Sequence, residues 1–238
     1  MSGLGRRIDE AAASFWALAG GRSRYGRPVD LERAVAVALP LGVVKLPRLS
    51  SGKVAEVIAR IGATPWSVAI DRPLRACLVA DVGVGLVFVD GADPEDEQRF
   101  SLAHEVAHFL LHYLEPRERV MRTFGAGMIQ VLDRSRAPTT GERFSSAMSG
   151  LSLEPFRHAM DRDSSGAAAH HRTESIEGEA DDLAFELVAP AGERADLKEF
   201  SGESLASAFG LPTWTGGFLL PSRVESDGVV SLFRKKSS

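Results

Sequence analysis

The sequence predicts an α+β domain that is mainly helical, with a small antiparallel sheet set beside one helix. Apolar residues recur at helical spacing through most of the first sixty positions and again near 174–188. Between Trp66 and Asp90 the pattern changes to short β-branched runs. With 238 residues, 44% of them hydrophobic, the chain can bury a proper core.

In chain order, residues 7–19 and 30–39 read as short helices, and "PLGVVKLPRL" as a brief extended segment bounded by prolines. "SSGKVAEVIARIG" is a third helix, with Ser51 as N-cap and Gly62 as its stop. "WSVAID", "ACLVAD" and "VGLVFVD" read as the strands of the sheet. The last leads into a helix with Asp93 as N-cap, Pro94 at its first position and acidic residues in its first turn, expected to end near Leu114 before Pro116. Residues 117–172 are less regular: "RVMRTFGAGMIQVLD" suggests helix, Thr139 and Glu142 have capping-box spacing, and "DRDSSGAAAHHRTES" reads as a loop. A helix over 174–188, a capped helix in "SGESLASAFGLPTW" and a hairpin turning at Ser226, Asp227 and Gly228 complete the chain.

The formal charge of −4 gives no basic excess for nucleic acid, and no apolar run approaches the length of a membrane span. A single cysteine, Cys77, excludes an intramolecular disulfide and reads as a buried small hydrophobe. The start lacks the apolar core of a secretory signal, so a cytoplasmic location is expected.

The chemistry lies in "RFSLAHEVAHFLLH", residues 99–112, where three histidines and a glutamate interrupt a segment otherwise suited to a core. His104 and His108, four apart on a helix, present both imidazoles to one side, where both reach a single metal ion. Glu105 between them completes an HExxH pattern, with two nitrogen ligands, a carboxylate base and a position for water. The plainer alternative is a set of core histidines with satisfied hydrogen bonds. The best third ligand is Glu177, because Asp181 follows four residues later on the same face and could accept the other ring N–H of a ligating histidine. Glu179 points roughly 160° away at about 100° per residue and is a weaker candidate. Asp182 and Glu186 are expected on solvated faces, and His112 in a packing or surface role.

Together, "RFSLAHEVAHFLLH" and "EGEADDLAFELVAP" resemble the ImmA/IrrE family of metallopeptidases, with Glu177 on the family's metal-binding glutamate and Asp181 where Asn is commoner. Ala107 replaces the usual Gly before the second histidine. The resemblance covers roughly residues 30–190. It implies a zincin-like domain there; residues 1–29 read as an N-terminal helical extension and 191–238 as a C-terminal helix and hairpin. The 69 positions from His108 to Glu177 exceed the family's usual spacing and suggest an insertion within 117–172.

The resemblance further implies Zn2+, with Mn2+ or Fe2+ as alternatives, held by His104, His108 and Glu177, and Glu105 as the catalytic base. Tyr113, His158, His170, His171 and Arg172 are candidate donors to the developing oxyanion. The implied activity is cleavage of a specific protein, typically a separate helix-turn-helix repressor in a stress or mobile-element response. Two other classes compete: a metal-binding sensor module without proteolysis, and a DNA-binding regulator, since "SLASAFGLPTWTGGFLL" begins like a helix-turn-helix.

Overall fold

The computed structural model describes residues 3–63, 66, 68–148, 155–162, 171–197 and 199–220. Helices α1 (Gly3–Leu18) and α2 (Leu31–Ala38) precede strand β1 (Leu41–Leu46). Helix α3 (Ser51–Arg60) leads to the hairpin of β2 (Leu74–Asp81) and β3 (Val84–Asp90), and α4 (Glu95–His108) follows directly. After α4 come a π-helical turn (Phe109–Leu114), α5 (Glu115–Phe124), α6 (Met128–Leu132) and α7 (Thr140–Met148). Strand β4 (Phe156–Asp161), α8 (His171–Val188), α9 (Ala191–Ala195), α10 (Gly202–Phe209) and the single turn α11 (Gly216–Leu219) complete the described chain. The hairpin expected around Ser226 lies outside the described residues.

The α+β architecture is as expected, but the sheet is mixed rather than antiparallel. Its order is β1-β3-β2-β4, with β1 parallel to β3 and the other two pairings antiparallel. The stretch through α3 and β2 supplies the long connection that a parallel pair requires. "WSVAID" forms no strand in its described residues. Asp71 at its end instead accepts from the Gly52 amide at 2.7 Å and the Ser50 hydroxyl at 3.1 Å, which ties it to the start of α3. The fourth strand comes from the irregular stretch after the HExxH helix.

The caps differ in detail. Ser50, not Ser51, caps α3 by accepting from the Lys53 amide, whereas Ser51 is buried and accepts from the Arg72 amide at 3.0 Å. Asp93 does not cap α4; its carboxylate receives Arg162 at 2.8 Å. The box of Thr139 and Glu142 does form, each amide donating to the other's side chain, at 2.8 and 3.3 Å.

Pro116 does not stop the HExxH helix, which continues through the π-helical turn to Gly125. In that turn the amide of residue i+5 bonds the carbonyl of residue i, as Glu115 N–H does to Leu110. The next carbonyl, that of Leu111, would need an N–H from Pro116, which has none. Arg7 of α1 donates to it instead, at 3.2 Å. A helix–helix contact thereby satisfies what the proline removes.

Both faces of the sheet are covered. Leu78 and Ala80 of β2 face the larger core, shared with α1, α2, α4, α8 and α10, while Cys77 and Val79 cluster with Leu49 and with Val54 and Ile58 of α3. The alternation follows from the two-residue period of a strand. Burial pushes the Cys77 thiol up, in keeping with an inert core residue. Among the described residues, no helix is long and apolar enough to cross a membrane.

Gly85 of β3 lets the π-helical turn sit against the sheet, because a Cβ there would lie 2.7 Å from Leu41 and 2.9 Å from Phe109. Gly85→Ala should therefore destabilise the protein by about 1–3 kcal/mol in urea denaturation, the usual cost of overpacking. Gly217→Ala, with nothing within 4 Å of the added carbon, should leave the midpoint nearly unchanged.

Candidate metal centre

The helical repeat of α4 brings the Nε2 atoms of His104 and His108 to 3.0 Å from each other. Glu177 of α8 places Oε2 at 3.3 Å from the first and 3.5 Å from the second. Tetrahedral zinc with bonds near 2.0–2.1 Å separates its donors by about 3.3 Å, so this triangle has the size of a metal's ligand set. The two helices are held together by the core, with Phe100 and Phe185 in ring contact at 5.4 Å.

The surroundings determine which nitrogens are free. His104 Nδ1 lies 2.9 Å from Asp181 Oδ1, so this nitrogen carries a hydrogen and Nε2 is the atom that a metal would bind on displacing its proton. His108 Nδ1 meets His112 Nδ1 at 3.0 Å, which likewise leaves Nε2 of His108 directed at the common point. His112 is thus not a packing or surface residue but a hydrogen-bonding partner of His108. Its other nitrogen approaches Glu179 at 3.6 Å, and Glu179 is held by Arg7 at 2.5 Å. Lone pairs from two imidazoles and a carboxylate converge where His104, Glu105 and His108 have no accessible surface. Such a cluster is costly to bury without a cation, and a divalent metal fits it.

The electrostatics agree. Burial opposes charge on His104, but Asp181 and Glu177 outweigh it and raise the ring to about 9. Burial, together with the neighbouring His158 and His104, holds His108 well below the ordinary histidine value. Burial would raise the Glu177 carboxyl, but hydrogen bonds from His104, His108 and His158 keep it well below the usual range.

His158 is the member of the site that its sequence context shows least. It lies in β4, opposite Leu78 of β2, and its ring stacks on His108 with centroids 3.7 Å apart. Its Nδ1 is 2.9 and 3.0 Å from the two Glu105 oxygens, and its Nε2 is 3.2 Å from Glu177 Oε1. Burial is outweighed by Glu105 and Glu177, which raise His158 to about 10. Together, His104, His108, His158 and Glu177 each offer a ligand atom within 4.8 Å of the others. The sequence offered His158 only as one of several oxyanion donors. The alternation of Phe156, His158 and Met160 in "FRHAMD" is the one signal that could have placed it on a strand.

The remaining candidates are elsewhere. The Tyr113 hydroxyl accepts from the Gly83 amide at 2.6 Å, at the β2–β3 turn. Asp182 is exposed, and Glu186 accepts from the Ala191 amide at 2.9 Å. His170 lies outside the described residues, as do the side chains of His171 and Arg172.

Two outcomes follow for metal uptake. Asp181→Ala should weaken zinc binding by about 10–100-fold in chelator competition, the usual cost of losing a ligand's outer partner. Because His104 holds a proton below about 9, zinc must displace it. Zinc uptake at pH 7 should therefore release protons in calorimetry run in buffers of different ionisation enthalpy, with apparent affinity falling as the pH is lowered.

Comparison with known proteins points the same way. The family model for the IrrE N-terminal-like domain, Peptidase_M78, matches residues 74–134, from the start of β2 through α6 and including the HExxH helix. Neither the curated proteins nor the solved structures give a match to the chain. Over that segment, which spans the sheet hairpin and the HExxH helix, the chain is similar to the IrrE N-terminal-like domain.

Proposed function

We propose that the protein is a zinc-dependent endopeptidase that hydrolyses a peptide bond in a specific protein. The observation carrying this reading is the convergence of His104, His108 and Glu177 donor atoms within 3.5 Å of each other, beside Glu105, in a chain with an IrrE N-terminal-like match. A zinc ion held there supplies Lewis acidity and makes a neighbouring water easier to deprotonate. His104 and His108 would each bind the ion through Nε2, because Asp181 and His112 face their Nδ1 atoms. Glu105, when free of its contact with His158, takes the proton of the attacking water and returns it to the leaving amine. Mn2+ and Fe2+ suit the same nitrogen and oxygen donors.

The substrate we favour is a separate helix-turn-helix repressor, cleaved in a stress or mobile-element response in the cytoplasm. The family resemblance supports that choice. A DNA-binding role has weaker support: after α10, the described chain makes a 3-10 turn and then α11, of four residues, in place of a recognition helix. A metal-binding module without proteolysis is the second reading, favoured by one observation, the presence of His158 among the donors.

The test has two parts. Elemental analysis should find about one zinc per wild-type chain, with loss in His104→Ala and Glu177→Ala. Mass spectrometry of a random peptide library incubated with the zinc-loaded protein should show cleavage that drops by about 10^2–10^4-fold in Glu105→Gln while zinc is retained. A wild type that takes up no zinc, or cleavage unchanged in Glu105→Gln, would overturn the reading.

A further inference from the structure

β4 covers the edge of β2 with continuous antiparallel pairing, from Ala76 opposite Met160 to Ala80 opposite Phe156. Without β4, β2 would be an open sheet edge beside the HExxH helix, where an extended peptide could add as a further strand. The chain fills this place with its own segment, and the middle of that segment delivers His158 to the metal donors. The C-terminal end of β4 is tied down by Arg72 to Asp161 at 2.7 Å, and just beyond it Arg162 reaches Asp90 at 2.5 Å and Asp93 at 2.8 Å.

His158 makes two contacts that matter. Its Nδ1 faces both oxygens of Glu105, which leaves Nε2 to act as a donor. That Nε2 stands 3.2 Å from Glu177 Oε1, while the His104 and His108 Nε2 atoms stand 3.3 and 3.5 Å from Oε2 of the same carboxylate, and the four residues offer ligand atoms within 4.8 Å of one another. Three imidazole nitrogens thus surround one carboxylate. Four protein donors complete a tetrahedral shell and leave no position for water, the pattern of structural rather than catalytic zinc. Glu105 meanwhile has no accessible surface and is engaged by the same ring.

We propose that β4 is a built-in latch: His158 supplies a fourth ligand to the metal held by His104, His108 and Glu177 and occupies Glu105, so that the strand must leave β2 before a peptide can be cut. The inference rests on the metallopeptidase reading and adds a latent state to it. Displacing one strand frees three things together: the sheet edge, the coordination position and the base.

Cobalt(II) reports coordination through its visible spectrum and can be titrated with acetohydroxamate, which binds only where a coordination position is open. The full-length chain would be loaded with Co2+ as wild type, His158→Ala and His158→Gln. The latch predicts a four-coordinate wild-type spectrum that acetohydroxamate leaves unchanged at concentrations that shift both variants. The variants should also hold Co2+ less tightly, by at least the roughly tenfold that an outer partner is worth. Their zinc forms should cleave the peptide library at least about tenfold faster than wild type, a gain of about 1.4 kcal/mol in transition-state stabilisation. A wild-type spectrum that shifts with acetohydroxamate as readily as the variants do would overturn the latch and leave the peptidase reading standing. Since that measurement needs only the wild type, it decides the question even where a variant does not fold. Zinc-loaded variants that bind acetohydroxamate yet cleave no peptide would instead overturn the peptidase reading.

Discussion

The constraint on which the rest of the structure depends is the burial of three lone-pair donors at one point between α4 and α8. His104, His108 and Glu177 cannot be left facing one another in a core without a positive charge among them. A proton can meet part of that need, because Asp181 and Glu177 raise the His104 ring against the effect of burial. A divalent cation meets it better, because it takes all the lone pairs at once. The two facing helices are closely packed around the point: Ala103, Val106, Ala107, Ala180, Leu183 and Ala184 are buried between them. Small side chains there let the helices approach closely enough for the polar groups to meet.

Around the donors lies a ring of hydrogen-bonded partners. Asp181 orients His104, His112 orients His108, and Arg7 of α1 holds Glu179 beside His112. Arg7 has a second task, since it also donates to the Leu111 carbonyl that Pro116 cannot serve. The first helix is thereby joined both to the surroundings of the centre and to the continuation of the HExxH helix. Its apolar side, with Ile8, Ala12 and Phe15, belongs to the same core cluster as α4, α8 and α10. One set of contacts serves stability and site geometry together.

The unusual part of the molecule is the stretch between His108 and Glu177. It supplies α5, α6, α7 and β4, and among its described residues β4 is the element that reaches the donors. Strand pairing is what makes this precise, because registering β4 against β2 fixes the side to which each of its residues points. A shift of one residue would turn Arg157 or Ala159 toward the donors in place of His158. The sheet thus sets the geometry of an imidazole that no helix spacing could have predicted.

The sequence by itself determined the HExxH pair, the third carboxylate one helix away with Asp181 a turn beyond it, and the mainly helical α+β character. Each rests on local periodicity, which side-chain spacing along one element expresses directly. What it could not determine was anything set by pairing between distant segments. The parallel placement of β1, the failure of "WSVAID" to become a strand and the capture of the edge by β4 depend on which backbone groups find partners across the sheet. The passage of the helix through Pro116 depends on an arginine more than a hundred positions away. His112 and His158 likewise gained contacts from distant segments: His112 from Glu179 across the helix interface, beyond its neighbour His108 one turn away, and His158 from the register of an edge strand. Local chemistry announced the candidate metal donors, and only the tertiary structure decided what surrounds them, because most of those contacts join residues that no sequence period relates.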